Sequence, residues 1–201
     1  MKDIASVRNA IKNSATELFS RMGYEKTTLE EIARKAHKAK ASVYYHFKGK
    51  YEILDASLSD EFSRIIESLS CVRRNNEGSV PRQLAAYLEA RMDLLMSAKV
   101  YGRYAVESFV SNERSEALDA VRMHRGVFDD WEREYFVSVC RFGCDNGAFS
   151  AAVKPEAFGS MMLMLLRGLE MQFFVSEDLL SVKSTYDEVL EYMMKGISKK
   201  A

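Results

Sequence analysis

Apolar residues recur every three or four positions along most of the chain, and no long stretch alternates apolar with polar. The first pattern is that of helices packed on one face, and the missing alternation argues against a sheet. Ile4, Val7, Ile11, Ala15, Leu18 and Met22 form one such stripe, with Gly23 placed to close the helix behind it. Thr28 with Glu31 three residues on is a capping-box pattern, and Ile32, Ala33 and Ala36 give the second helix its apolar side. A third short helix is expected from about Lys40 to Phe47, with Val43 and Phe47 inward. A long helix follows from about Tyr51 toward Val72, burying Ile53, Leu54, Leu58, Phe62, Ile65, Ile66 and Leu69.

Residues 73–79 are the clearest loop, since polar residues and Gly78 follow one another there. Beyond it the periodicity predicts helices over about Val80–Ala98 and Tyr101–Val110, with a polar break at Asn112–Arg114. A long helix then starts at Ser115 or at His124 and ends at Gly147. Pro155 opens a helix through about Val175, and Ser184 or Thr185 caps a last one ending near Ile197. Pro81 and Pro155 are the only prolines, and both stand where a helix begins, the place that tolerates a missing N–H. The expectation is an all-α chain of about nine helices.

Net charge changes this picture. The chain holds 29 basic and 29 acidic side chains, a balance that argues against an anionic polymer as partner. The total hides a split: residues 1–50 carry 11 Lys and Arg against 5 Asp and Glu, and residues 51–201 carry 18 against 24. A head of +6 is joined to a body of −6. We therefore expect a division at residue 50, with the head at 1–50 and a larger helical body at 51–201.

Three short helices with tight connections and a basic excess fit a helix-turn-helix unit, or a small bundle with a solvated basic surface. The side chains favour the first. At the start of the third helix, Ala41 and Ser42 are small enough to let a helix end approach base edges, beside Lys40. Tyr44, Tyr45 and His46 carry polar tips that can donate to phosphate oxygens, and Lys48 and Lys50 add charge near the backbone.

Over about residues 8–55 the sequence resembles the tetracycline-repressor family of bacterial transcription regulators. The residues that carry the resemblance are Ala15, Leu18-Phe19, Gly23-Tyr24, Thr27-Thr28, Ile32-Ala33, Ala36, Val43-Tyr44-Tyr45-His46-Phe47, Lys50 and Leu54. Beyond them only the length, the helical pattern and the Gly-Ala-Phe turn at 147–149 match in outline. The resemblance implies a homodimer on a palindromic double-stranded operator, with half-sites about 34–36 Å apart or a multiple of that. It implies phosphate contact by Thr28, groove contacts by Lys40, Ala41, Ser42 and Tyr44, and backbone contacts by Tyr45, His46 and Lys50. It also implies a small-molecule effector that releases the DNA. The turn departs from the family pattern, because His37-Lys38-Ala39 stands where glycine, an apolar residue and a capping residue are usual. His37 then bears a backbone that suits glycine, Ala39 cannot cap, and Lys38 either reaches DNA or extends to solvent.

In the body, residues 158–175 are apolar nearly all round, interrupted by Arg167 and Glu170. That is a helix buried on both faces rather than a membrane span. One face is expected in its own subunit and the other on a partner, giving an interface of Phe158, Met161, Met162, Leu165, Leu169 and Phe173. The last helix adds Tyr186, Val189, Leu190, Met193 and Ile197. The middle helices concentrate aromatic residues. Tyr87, Tyr101, Tyr104, Phe109, Phe128, Trp131, Tyr135 and Phe142, with Met92, Met96 and Met123, suit either a plain core or an adaptable apolar cavity for the effector. Arg91, Arg103, Glu107 and His124 are candidate polar contacts there.

Other chemistries find less support. Cys140 and Cys144 lie four apart without the neighbours that complete a metal set, so they read as buried small residues, and no metal site is expected. No Gly-rich phosphate loop and no legible triad appears, so neither an enzyme nor a cofactor is expected. Three cysteines and no apolar leader fit a reducing cytoplasm without a membrane partner. The alternative to DNA is a helical dimeric adaptor that binds protein, in which Tyr44-Tyr45-His46-Phe47 would have no reason to stand beside two lysines.

Overall fold

A computed structural model describes residues 2–75 and 79–197; the side chains of residues 2, 3, 194 and 197 are outside the described residues, as is the 76–78 part of the expected loop. Among the described residues there are nine helices and no strand: α1 (Lys2–Met22), α2 (Leu29–Lys35), α3 (Lys40–His46), α4 (Lys50–Asn75), α5 (Val80–Ser97), α6 (Lys99–Val110), α7 (Glu116–Asp145), α8 (Pro155–Val175) and α9 (Leu179–Ile197). Packing divides the chain into two compact units, Met1–Arg64 with Ser97–Arg125, and Ile65–Met96 with Gly126–Ala201. The division expected at residue 50 falls inside the first.

In the first unit α1 packs on α2, α3 and α6. Its buried stripe is Ile11, Ala15 and Phe19 rather than one running through Leu18 and back to Ile4, which is exposed. Val43 and Phe47 of α3 are buried as expected, with Ile53, Leu54 and Leu58 of α4. The helix ends follow from local chemistry. Gly23, at φ +87, closes α1 while its N–H reaches the Phe19 carbonyl at 3.0 Å. α2 begins with the full capping box: Thr28 Oγ1 accepts from Glu31 N at 3.2 Å, and Glu31 Oε2 accepts from Thr28 N at 2.8 Å. It ends in a left-handed residue that is not glycine. His37 has φ +53, with its N–H on the Arg34 carbonyl and the Lys38 N–H on the Ala33 carbonyl, the paired bonds of a Schellman turn. Ala39 before α3 makes no side-chain cap.

α6 also starts without a cap of its own, since Ala98 supplies none. The buried Glu61 carboxylate of α4 does this instead, accepting from Val100 N at 2.9 Å and Tyr101 N at 3.0 Å. Burial holds that carboxyl above the usual carboxylate range, although the two N–H groups pull it back.

In the second unit α8 packs on α9. Gly159 permits a close approach of α8 to α7, because a Cβ there would sit 2.7 Å from Val137 Cγ2 and 3.2 Å from the Arg133 carbonyl. By length and composition α8 could cross a membrane, with a mean hydropathy of 1.2. Its charges are answered within the unit, Glu156 by Arg141, Arg167 by Asp129 and Glu170 by Arg91, and the last is fully buried, as in a core helix.

Of the two starts expected for α7, Ser115 is the one used: Leu118 N donates to its Oγ at 3.2 Å. Two other boundaries differ from expectation. α4 continues through Arg73 and Arg74 to Asn75. α9 begins at Leu179, one turn and more before Ser184, because Asp178 Oδ1 accepts from Ser181 N at 3.1 Å.

Candidate functional site

The basic head presents one face of α3 to solvent. Lys38, Lys40, Ala41, Tyr44, Tyr45 and Lys48 are exposed, and Ser42 and His46 are half-buried. Tyr45 stands out with 75% of its surface exposed, its ring edge-on to His46 at 5.1 Å. Tyr44 is exposed beside it, and Val43 and Phe47 anchor the opposite side of the same segment. Thr28 is exposed at the start of α2, but its hydroxyl is already shared with Glu31. Lys40 forms an ion pair with Glu30, which lowers the Glu30 carboxyl and raises the Lys40 ammonium from their ordinary values. Its charge also lies 5.8 Å from the Tyr44 ring centroid.

Lys50 is placed differently from the other lysines. Its Nζ turns inward, donating to the Tyr24 carbonyl at 2.7 Å and lying 4.1 Å from the Tyr24 ring centroid. A face of small residues, hydroxyl tips and lysines at a helix start can meet a DNA groove, with the side chains around it on phosphates.

Ten of the residues expected in an effector pocket divide between the units. Tyr101, Tyr104, Glu107 and His124 belong to the first. Tyr101 accepts from Arg125 at 2.7 Å, His124 meets Asp55 at 2.7 Å, Tyr104 bonds to Tyr24 N and Glu25, and Glu107 is exposed. Arg103 is exposed as well.

Tyr87, Arg91, Met92, Phe128, Trp131 and Tyr135 come together in the second unit. At their centre Arg91 is fully buried and grips Glu132 with two nitrogens, at 2.7 and 3.1 Å, and Glu170 with one at 3.0 Å. Tyr87 donates to Glu132 at 2.9 Å. Burial opposes the Arg91 charge, but Glu132 and Glu170 outweigh it and hold the guanidinium more firmly protonated than usual. Burial, then Glu132, pushes the Tyr87 hydroxyl well above its ordinary value. The Tyr87 and Tyr135 rings lie 4.3 Å apart, and Phe128 stacks on Trp131 at 5.9 Å. The Tyr135 hydroxyl is buried and makes no hydrogen bond among the described residues. Sequence reading missed Glu132 altogether and saw Glu170 only as an interruption. The signal that was available was a charged residue recurring on an otherwise apolar helix face.

The expected interface needs correction. Phe158, Met162, Phe173 and Tyr186 are buried inside the second unit, and Tyr186 donates to the Leu88 carbonyl at 2.9 Å, so none of the four lies on an open face. Leu165, Leu169, Val189, Leu190 and Met193 are half-buried, and the Ile197 side chain lies outside the described residues. The open stripe of α8 is Met161, Met164, Gly168 and Val175, with Met164 at 79% exposure and Leu165 at its edge. On α9 the open residues are Leu180 at 84% and Tyr192 at 68%. Cys140 is buried and its thiol is pushed up to about 11, by burial first and Cys144 next. Among the described residues no group of His, Cys, Asp and Glu is arranged to hold a metal.

Comparison with known proteins bears on the head first. Residues 11–57 match the model of the bacterial regulatory proteins of the tetR family. The biofilm operon icaADBC negative transcriptional regulator IcaR of Staphylococcus epidermidis is 38% identical over 63 residues, 31% of this chain and 34% of that protein. The transcriptional regulator SrpR of Pseudomonas putida is 44% identical over 52 residues, 26% of this chain and 24% of that protein. The matches thus span about a third and about a quarter of these relatives. Solved structures match over the whole chain. NalD, the secondary repressor of the MexAB-OprM multidrug efflux pump in Pseudomonas aeruginosa, superposes with a TM-score of 0.71 at 23% identity, covering 100% of both chains. A putative transcriptional regulator from Saccharomonospora viridis, solved in complex with choline, gives 0.77 at 18% identity over 98% of this chain and all of that one. At such identities these structures show the fold, and the sequence match lies in the head. Residues 11–57 thus match the tetR family of bacterial regulatory proteins, and over its whole length the chain shares the all-helical fold of these structures.

Proposed function

We propose that the chain is a DNA-binding transcriptional regulator, a repressor that acts as a homodimer in the cytoplasm and leaves a palindromic operator when a small molecule binds. The observation that carries this reading is the solvent-facing side of α3 and the residues just after it, where Tyr44, Tyr45 and Lys48 stand clear of the packed head beside the half-buried Ser42, while Val43 and Phe47 fix the helix behind them. Lys38, Lys40, Ala41 and His46 extend that face, and Thr28 marks its edge. The relatives named as negative regulators and as a secondary repressor support the direction of control.

The homodimer rests on the open stripes of α8 and α9. Gly168 lies on the α8 stripe, and a Cβ there would meet nothing within 4 Å, so a partner helix can come close. The effector pocket is assigned to the second unit, around Tyr87, Met92, Phe128, Trp131 and Tyr135. The unmatched Tyr135 hydroxyl is its polar handle, since a buried polar group without a partner is rare enough to need a reason. A structural neighbour that holds choline supports a small ligand in this fold. Such a ligand releases DNA only if it binds the DNA-incompetent form more tightly.

Genomic fragments captured by the purified protein and sequenced test the reading. Enrichment of a few loci sharing a two-fold motif is the expected result. An adaptor for protein would give no motif, and capture that follows DNA length alone would refute regulation.

A further inference from the structure

Lys50 stands where a direct phosphate contact is expected, yet its ammonium is already in use. We infer that Lys50 and Tyr24 form an internal latch that sets the α3 face for DNA, so that Lys50 acts on DNA through Tyr24 rather than by touching phosphate. The inference rests on the DNA-binding reading of the head.

Tyr24 is the residue that joins the parts. It is buried, just beyond the end of α1. Its carbonyl and ring hold Lys50, the first residue of α4, three positions beyond the buried Phe47 that ends α3. Its backbone N–H donates to the Tyr104 hydroxyl of α6, and its own hydroxyl donates to the Glu116 carboxylate of α7. Tyr104 also donates to Glu25 at 3.3 Å. The α3–α4 corner, the end of α1, and the two helices α6 and α7 thus meet on one residue, through its backbone and its side chain. Gly23 makes room for this: the Tyr104 oxygen lies 3.4 Å from where a Cβ would stand, on a backbone that other residues adopt only under strain. An ammonium bonded to a carbonyl and seated on a ring is pre-placed, and drawing it out to a phosphate would forfeit both contacts.

The test is the salt dependence of binding to the duplex enriched in the genomic capture, with Lys50→Met, which keeps the aliphatic stem and removes the charge. Each protein–phosphate contact contributes about 0.9 to the slope of log affinity against log salt. The latch predicts affinity lower by about tenfold with the slope unchanged. It also predicts that Tyr24→Phe, which cuts the bond to Glu116, weakens binding, and that the double variant is no worse than the poorer single one, because both cut the same connection. A slope lower by about one in Lys50→Met makes Lys50 a phosphate contact and overturns the latch. Unchanged affinity and unchanged slope overturn it as well, and so do additive losses. Circular dichroism melts of each variant separate a lost fold from a lost latch, and if Lys50→Met does not fold, Lys50→Gln, which also removes the charge, gives the same slope readout. If the wild-type chain binds no duplex selectively, the functional reading itself falls and the latch falls with it.

Discussion

Replacing Arg91 with Met should be among the most damaging single changes in the molecule. Arg91, Glu132 and Glu170 have no exposed side-chain surface, so none can turn to water for compensation. The guanidinium satisfies Glu132 through two bonds and Glu170 through a third. Met fills much of the same volume but leaves Glu132 with only the Tyr87 hydroxyl from this group. Removing one partner of a buried ion pair costs about 3–5 kcal/mol, chiefly because the other charge remains desolvated. For a chain of this size each kcal/mol lowers the melting temperature by about 2–4 °C, so the loss should be about 6–20 °C. Thermal unfolding followed by circular dichroism at neutral pH measures it. The double variant Arg91→Met, Glu132→Met should recover a large part, since apolar residues of similar size replace buried pairs at little cost. A loss under about 1 kcal/mol, or a double variant no better than the single, would show that water reaches the cluster and that its burial has been misjudged.

Other changes probe other links. Ala39→Ser adds the cap that α3 lacks and should raise the melting temperature by about 2–4 °C, for a gain of about 1 kcal/mol; no gain in a calorimetric scan would mean that the turn is held otherwise. Glu61 has a folded pKa raised by burial, so the stability it contributes is present at low pH and fades as pH rises through that value. Melts of the wild type and Glu61→Gln should therefore shift in favour of the wild type as pH falls from neutral, and a difference flat with pH would contradict the assignment. Met164→Lys places a charge in the middle of the open α8 stripe and should convert a dimer into a monomer in sedimentation velocity, with the helical content kept.

The head was legible in the sequence because its determinants are local. Thr28 and Glu31 are three residues apart, Gly23 follows its helix directly, and His37 and Ala39 betray a strained, uncapped turn by identity alone. The body was less legible because its determinants are distant. Arg91 meets Glu132 and Glu170 across 41 and 79 positions of chain, and no spacing rule links them. An all-round apolar helix such as α8 does not say which side is inside: Met162 and Phe173 are buried, Met161 is exposed as an interface needs, and Met164, passed over, is the most exposed of them. Of the aromatic residues of the middle helices, Tyr87, Tyr101, Tyr104, Phe128 and Tyr135 are buried, Trp131 is half-buried, and Phe109 and Phe142 are exposed; their division between two packed units depends on helix crossings that the sequence does not encode locally. The inward turn of Lys50 needed the Tyr24 carbonyl, 26 residues away, to be seen.

The central claim is that the exposed face of α3 reads duplex DNA as a symmetric pair. Selection from a pool of random duplexes by the full-length protein tests it most directly. The account predicts that rounds of selection converge on a two-fold sequence with half-sites one helical turn, or a multiple of it, apart. It predicts further that Ser42→Ala shifts the preferred bases within the half-site, whereas Lys48→Ala weakens all duplexes alike and lowers the salt slope by about one. A pool that stays random after selection, or one that converges on a sequence unchanged by every substitution on α3, would contradict it.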